Sequence, residues 1–261
     1  MKNYLIYPTN YMNISQTYSD SYSHKGYSTG NPKSYPIDDS CKDSGKDYFY
    51  IPCDKMIVKR VYGVGNSGIN TIWLESVDKV YLANGQYDYV NILVSHSEDS
   101  DLKNIKVGNV YTRKTALFKE GKDGYDRGMA TGNHFHIDVA RGKFINNGWE
   151  KNNKGCWTIK GNAIKPEEAF FVDKSFTKVI NNRGLKFKEL PNEVNNTTKY
   201  FKKYTGNSKS IVDALKSIKE NSSYNYRTKI ATVNNIKNYT GSATQNVKML
   251  NLLKQGKLIK P

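Results

Sequence analysis

Across the first 175 or so residues no long stretch carries helical periodicity, and this constrains the fold more than any other feature. The apolar residues come instead in short runs rich in β-branched and aromatic side chains, at residues 55–63, 71–76, 89–96 and 134–139. Clusters of Gly, Asn, Asp and Ser separate the runs. Such residues suit a pleated, half-buried surface, and the clusters between them suit turns. The segment Gly63-Val64-Gly65-Asn66-Ser67-Gly68 lies between two runs and opens no helix, so it reads as a hairpin turn rather than a phosphate loop. Residues 165–171 read as a short helical or turn segment that closes this β-rich part.

The tail follows another rule. Tyr204-Thr205-Gly206 recurs as Tyr239-Thr240-Gly241, and at the same offset Val212, Leu215 and Ile218 match Val247, Leu250 and Leu253. Apolar positions three apart share one helix face, so the tail reads as two degenerate helical repeats that bury faces against each other. The expected organisation is a domain at residues 1–174, an Asn- and Lys-rich linker at 175–198, and a small, mostly α-helical domain at 199–261. The formal net charge of +16 is uneven: from residue 198 onward 13 Lys and Arg stand against 2 Asp and Glu, a local net of +11. That concentration points to an anionic partner for the tail.

Three function classes recede on composition. With 37% hydrophobic residues and no long apolar run, no membrane span is expected, and the first residues lack the apolar core of a secretory signal. Cys41, Cys53 and Cys156 have no Cys-x-x-Cys spacing, which argues against a zinc ribbon and favours free thiols, although Cys41 and Cys53 are near enough in sequence to pair. The 20 Tyr suit exposed sheets and carbohydrate-facing clefts, with ordinary β-propensity as the simpler account.

The chemistry rests on four histidines, His24, His96, His134 and His136. Taken singly, each would be read as structural. The pair His134-x-His136 says more, because residues i and i+2 of a strand project from the same face. One imidazole can then hold a metal while the other works beside it. There is no His-Glu-x-x-His, which removes the helical metallopeptidase arrangement.

The segment Gly132-Asn133-His134-Phe135-His136-Ile137-Asp138-Val139 resembles the signature strand of the lysostaphin/LytM-type metallopeptidases, Gly-x-His-hydrophobic-His-hydrophobic-acidic-Val. Ser23-His24-Lys25-Gly26 and Tyr35-Pro36-Ile37-Asp38 resemble the two halves of that family's upstream His and Asp motif, with a loop between them. Ile92-Leu93-Val94-Ser95-His96 resembles its hydrophobic-x-x-His element, and Lys106-Val107-Gly108-Asn109-Val110 the turn that follows. The resemblance runs over roughly residues 15–145 and engages every histidine.

It implies a LytM-like groove on a mainly β domain with an antiparallel sheet. It also implies a zinc ion (Zn2+) held by His24, Asp38 and His136, with His134 and His96 as catalytic residues flanking an activated water. Two imidazoles and a carboxylate match the donor set of catalytic zinc. The His24–Asp38 separation is longer than the family's compact motif, and the adjacent Asp39 is the alternative ligand. Strand alternation would point the two aspartates to opposite faces, and Pro36-Ile37-Asp38 fits the motif better. Trp149, Trp157 and Tyr62 are candidate groove residues whose simpler assignment is core packing.

The tail resembles the cell-wall-binding modules of clostridial phage lysins and autolysins, through Asn238-Tyr239-Thr240-Gly241 and residues 252–261. Together these imply a peptidoglycan hydrolase, a phage endolysin or a virion-borne lysin, cutting peptide bonds in the stem or cross-bridge. The tail would hold peptidoglycan or an anionic wall polymer. The expected location is a host cytoplasm without a signal peptide, with action on the bacterial wall. The alternatives are a catalytically inactive wall-binding or amidase-activating relative, and a basic nucleic-acid-binding protein supported by charge alone; nucleic acid is not the expected partner.

Overall fold

The computed structural model describes residues 2–20, 22–41, 47–191 and 200–261. The chain divides into two compact units, Met1–Pro191 and Asn192–Pro261. Strands of the first unit begin with β1 (Tyr11–Gln16), β2 (Ile37–Asp39), β3 (Tyr48–Tyr50), β4 (Lys55–Tyr62), β5 (Thr71–Ser76), β6 (Val80–Tyr81), β7 (Tyr87–Asp88) and β8 (Val90–Ser95). After a single turn of helix, α1 (Asp99–Leu102), come β9 (Val110–Thr112), β10 (Ala116–Lys119), β11 (Phe135–Arg141), β12 (Trp149–Lys151), β13 (Trp157–Ile159) and β14 (Asn162–Ala163). Helix α2 (Pro166–Ala169) precedes β15 (Phe171–Val172), β16 (Lys178–Asn181) and β17 (Lys188–Glu189).

Among the described residues these build a nine-stranded sheet in the order β16-β1-β2-β11-β8-β5-β4-β9, with β14 also on β11. The domain is mainly β, as expected, but the sheet is mixed rather than antiparallel. Strand β16 runs parallel to the edge strand β1. An edge strand presents unpaired backbone groups, and here the returning chain satisfies them. Lys178 N–H donates to the Asn10 carbonyl at 2.8 Å, and the Thr177 hydroxyl to the Thr9 carbonyl at 2.7 Å.

The same pairing corrects the expected linker at 175–198. Residues 175–191 belong to the first unit, through β16 and through β17 beside β15. Their Asn- and Lys-rich composition fits an exposed edge as well as a linker, since all four residues of β16 are exposed. Residues 192–198, the rest of that segment, lie outside the described residues.

Strands β5 and β8 are buried along their whole length because both sheet faces are covered. Ile72, Leu74, Ile92, Val94, Phe135, Ile137 and Val139 feed the main core. The opposite face carries a smaller cluster of Trp73, Leu93, Ala140 and Ile159. Segment 63–68 is the turn of the β4–β5 hairpin, and residues 106–110 form the turn leading into β9, closed by Asn109 N–H to the Lys106 carbonyl.

Asp39 is fully buried on the core face of β2. Its carboxylate accepts from the Tyr7 hydroxyl at 2.9 Å, the Thr9 hydroxyl at 3.0 Å, Asn13 N–H at 2.9 Å and Cys41 N–H at 3.0 Å. Burial pushes its pKa up against the downward pull of those four donors. It therefore ties the amino-terminal segment to β2 and takes no part in the opposite face. Cys41, Cys53 and Cys156 are free thiols.

The second unit holds α3 (Ile211–Ser217), α4 (Tyr224–Val233) and α5 (Ala243–Gln255). Ser210, Ser223 and Ser242 cap their amino ends, and Ser242 forms a reciprocal capping box with Gln245. Leu215, Leu250 and Leu253 of the repeat pattern are buried in one core with Ile230 and Leu258. Helix α4 has no counterpart in the second repeat among the described residues. No helix among those residues is long and apolar enough to cross a membrane.

Asp39→Ala leaves four buried donors without their acceptor and should destabilise the first unit by about 3 kcal/mol. The midpoint of urea unfolding measures this, and a loss under ~1 kcal/mol would contradict the anchoring role.

Candidate metal centre

One cross-strand row forms the floor of the site. Asp38 on β2 pairs with His136 on β11, His136 with Ser95 on β8, Ser95 with Thr71 on β5, and Thr71 with Tyr62 on β4. All five side chains line one groove of about 900 Å³. Because side chains alternate, His134, His136 and Asp138 share the groove face while Phe135, Ile137 and Val139 enter the core. Asp38 and Asp39 are divided in the same way: Asp38 faces the histidines and Asp39 the core.

Around the Asp38 Oδ1 atom stand His136 Nδ1 at 3.0 Å, His24 Nε2 at 3.2 Å and His134 Nε2 at 3.9 Å. His24 reaches this point from the loop after β1, where its Nδ1 lies 3.1 Å from the Thr17 carbonyl. Gln16 adds an amide N–H to Asp38 Oδ2 at 3.1 Å. His96 follows the end of β8 in a left-handed conformation, φ 78°, uncommon for a residue with a side chain. Its Nδ1 lies 2.8 Å from the Asp123 carbonyl, and its ring is 4.4 Å from that of His134. The His134 Nδ1 lies 2.9 Å from the Gly132 carbonyl.

A carbonyl oxygen only accepts, so Nδ1 of His24, His96 and His134 must each carry the hydrogen. That leaves Nε2 of each ring as the nitrogen turned to other work. For His24 the second nitrogen faces a carboxylate, so both of its nitrogens face acceptors. Such a ring must carry a second proton or meet a cation. The donor set thus fits a metal: the ligand atoms of His24, Asp38 and His136 all lie within 4.8 Å of one another, and this group can hold a metal ion.

The electrostatics agree. Burial lowers the His24 pKa, but the hydrogen bond and charge of Asp38 outweigh it and the net shift is upward. Burial works to raise that of Asp38, yet the hydrogen bonds from His136 and His24 hold it far below the carboxylate range. Burial, with His134 and His136 nearby, pushes His96 down to about 3.

Several further residues support these side chains. Tyr27 sets its ring against both His24 and His136, at 5.4 and 5.8 Å. Asp138, fully buried, accepts from the Ser34 hydroxyl and from Ile159 N–H, fastening the loop before β2 and strand β13 to the base of β11. The Gly121 carbonyl accepts from His134 N–H at 3.0 Å, and a Cβ at position 121 would meet the His96 carbonyl oxygen at 2.5 Å. Arg183, in the stretch expected as linker, lines the groove and pairs with Asp20 at 3.0 Å. Tyr62, Trp149 and Trp157 line the groove as well, rather than serving only as core. No protein-family model matches the chain.

Metal binding must displace the extra proton of His24, whose pKa lies above its ordinary 6.5, while Asp38 stays ionised. Affinity should therefore rise with pH and fall about tenfold per unit once the pH drops below that raised pKa. Titration calorimetry with Zn2+ between pH 5.5 and 8 checks the slope. Asp38→Ala and His136→Ala should each abolish one-to-one binding, whereas Asp39→Asn should retain it.

Proposed function

We propose that this chain is a zinc-dependent endopeptidase of the lysostaphin/LytM type that cuts the peptide part of bacterial peptidoglycan. The observation that carries the reading is the convergence of His24, Asp38 and His136 on one point, with two further imidazoles beside it in a fixed tautomer. A zinc ion held by the three ligands supplies Lewis acidity to a water and to the scissile carbonyl. The rest is the work of side chains. His134, whose Nε2 lies 3.9 Å from Asp38 Oδ1, takes a proton from the attacking water on Nε2 as the oxygen bonds to the carbonyl carbon. The ring, now a donor, steadies the oxyanion and passes that proton to the departing amine as the C–N bond breaks. His96, kept neutral by burial and by its neighbours, directs the water with its Nε2 lone pair.

The groove itself suits a mostly neutral chain. Among its described lining residues the charged ones are Asp38 and the mutually paired Asp20 and Arg183. A polyanion such as nucleic acid finds no cationic track there. The excess positive charge lies in the helical unit, which we assign to an anionic or glycan component of the cell wall. Beside a hydrolase, such a module raises the local substrate concentration. On this reading the site of action is the bacterial wall.

Purified zinc-loaded protein should clear a suspension of purified peptidoglycan and release fragments whose new amino termini lie in the stem or cross-bridge. Mass spectrometry of the digest reads the bond. Chelation should stop the reaction, and His134→Ala should retain the metal while losing roughly 100-fold or more in rate. A metal-loaded protein that releases no fragment from walls of several cross-link types would overturn the proposal.

A further inference from the structure

At the far end of the groove floor from Asp38 the wall is aromatic. Tyr62 is three strands away from His136 along the cross-strand row, about 14 Å at ordinary strand spacing. Over it stands a stack of rings that meet edge-on or tilted, at interplanar angles of 72°, 86° and 40°. The Trp149 ring lies 4.9 Å from Tyr62 and 5.0 Å from the fully buried Trp73, and Trp157 lies 5.4 Å beyond Trp149. The Arg60 guanidinium sits 5.0 Å over Tyr62, 4.9 Å over Trp73 and 5.1 Å over Trp149. It also donates to the Asn147 carbonyl, while the Trp73 indole N–H donates to the Gly148 carbonyl at 3.0 Å. Trp149 is thereby fixed from below and from the side.

Trp157, the outer member, is 53% exposed although it lies on this stack and lines the groove. A large indole left open beside a cluster of histidines is an unfilled stacking surface. We propose that Trp157, backed by Trp149 and Tyr62, is a subsite for a pyranose ring of the substrate's glycan strand; the inference rests on the reading of the groove as a peptidoglycan-hydrolase site.

Three observations select a sugar over an apolar side chain. The aromatic surface stands open at the groove wall, whereas an apolar side chain calls for an enclosing pocket. The lining of the same groove includes exposed neutral hydrogen-bonding groups, such as Ser67 and Thr131. A pyranose matches that combination, with a C–H face for the indole and hydroxyl and amide edges for the polar lining. Finally, Lys151 Nζ lies over the Trp157 ring, 5.9 Å from its centre, a donor on a flexible side chain within reach of a sugar seated on the indole.

All three tryptophans of the chain, Trp73, Trp149 and Trp157, belong to the first unit, so indole signals report the groove and not the basic tail. The full-length protein labelled with 15N is titrated with the tetramer of N-acetylglucosamine, and the indole N–H peaks are followed by NMR. Trp157→Phe identifies the peak. The Trp157 resonance should move in a saturable manner while that of buried Trp73 stays. In parallel, cleavage of a soluble sugar-bearing stem peptide is compared with the same peptide lacking sugar. Trp157→Ala should lower kcat/KM for the sugar-bearing substrate about tenfold more than for the bare peptide, mainly through KM, and Trp157→Phe should restore part of the difference. Absence of a Trp157 shift together with equal losses on the two substrates overturns the subsite. So does an equal Trp157 shift with the sugar-free peptide. A Trp157 shift with sugar in a protein that cuts neither substrate overturns the hydrolase reading and leaves the subsite standing.

Discussion

The pairing of β2 with β11, which sets His136 opposite Asp38, is the constraint on which the rest of the site depends. Strand side chains alternate, so a slip of one residue in this pairing would send Asp39 to the histidines and Asp38 into the core. Two interactions hold the register from opposite faces. On the core side Asp39 is bound by four donors, and Phe135 and Ile137 pack into the main core. On the groove side Asp38 collects His24, His136 and Gln16. Each aspartate has partners the other face lacks, and the adjacent pair acts as a phase marker for the strand.

Backbone carbonyls fix the tautomer of three of the histidines. The carbonyls of Thr17, Gly132 and Asp123 each take an Nδ1 hydrogen, from His24, His134 and His96. Carbonyls select a tautomer without adding charge, so the carboxylate of Asp38 is left as the charge that attracts a cation. The proximity of Gly121 to the His96 backbone closes the arrangement, because the 121–123 segment serves both His96 and His134.

Much of this was legible in the sequence because it depends on local rules. A two-residue repeat put His134 and His136 on one face, and β-branched runs located β4, β5, β8 and β11 to within a residue or two. Three-residue apolar spacing marked the tail helices α3 and α5. What escaped depends on partners distant in sequence. The parallel pairing of β16 with β1 joins residues more than 160 apart, and an exposed Lys- and Asn-rich strand looks like a linker until its partner is known. The groove-lining place of Trp149 and Trp157 depends on a hairpin whose position is set by Asp138 and Asn152, polar residues with no periodic signal. Asp38 and Asp39 were separable by alternation alone once a strand was assumed. The four donors around Asp39 were not.

The hairpin of β12 and β13 is also fastened to the loop that carries His24. Asn152 donates to the Gly26 carbonyl at 3.0 Å, Asn31 and Asn153 exchange two hydrogen bonds near 3 Å, and the Cys156 thiol reaches the Lys25 carbonyl. Gly30 leaves room for the Asn152 amide, since a Cβ there would fall 2.1 Å from its nitrogen. The first ligand's loop and the aromatic wall are in this way one mechanical piece. A change of ligand preference can then be made on the outer faces of the hairpin, at Lys151 or Trp157, without disturbing the histidines. A change at its turn would be felt at His24. Tolerance to substitution should therefore divide within a single hairpin, tips and turns being rigid inheritance and the groove-facing rings open to variation.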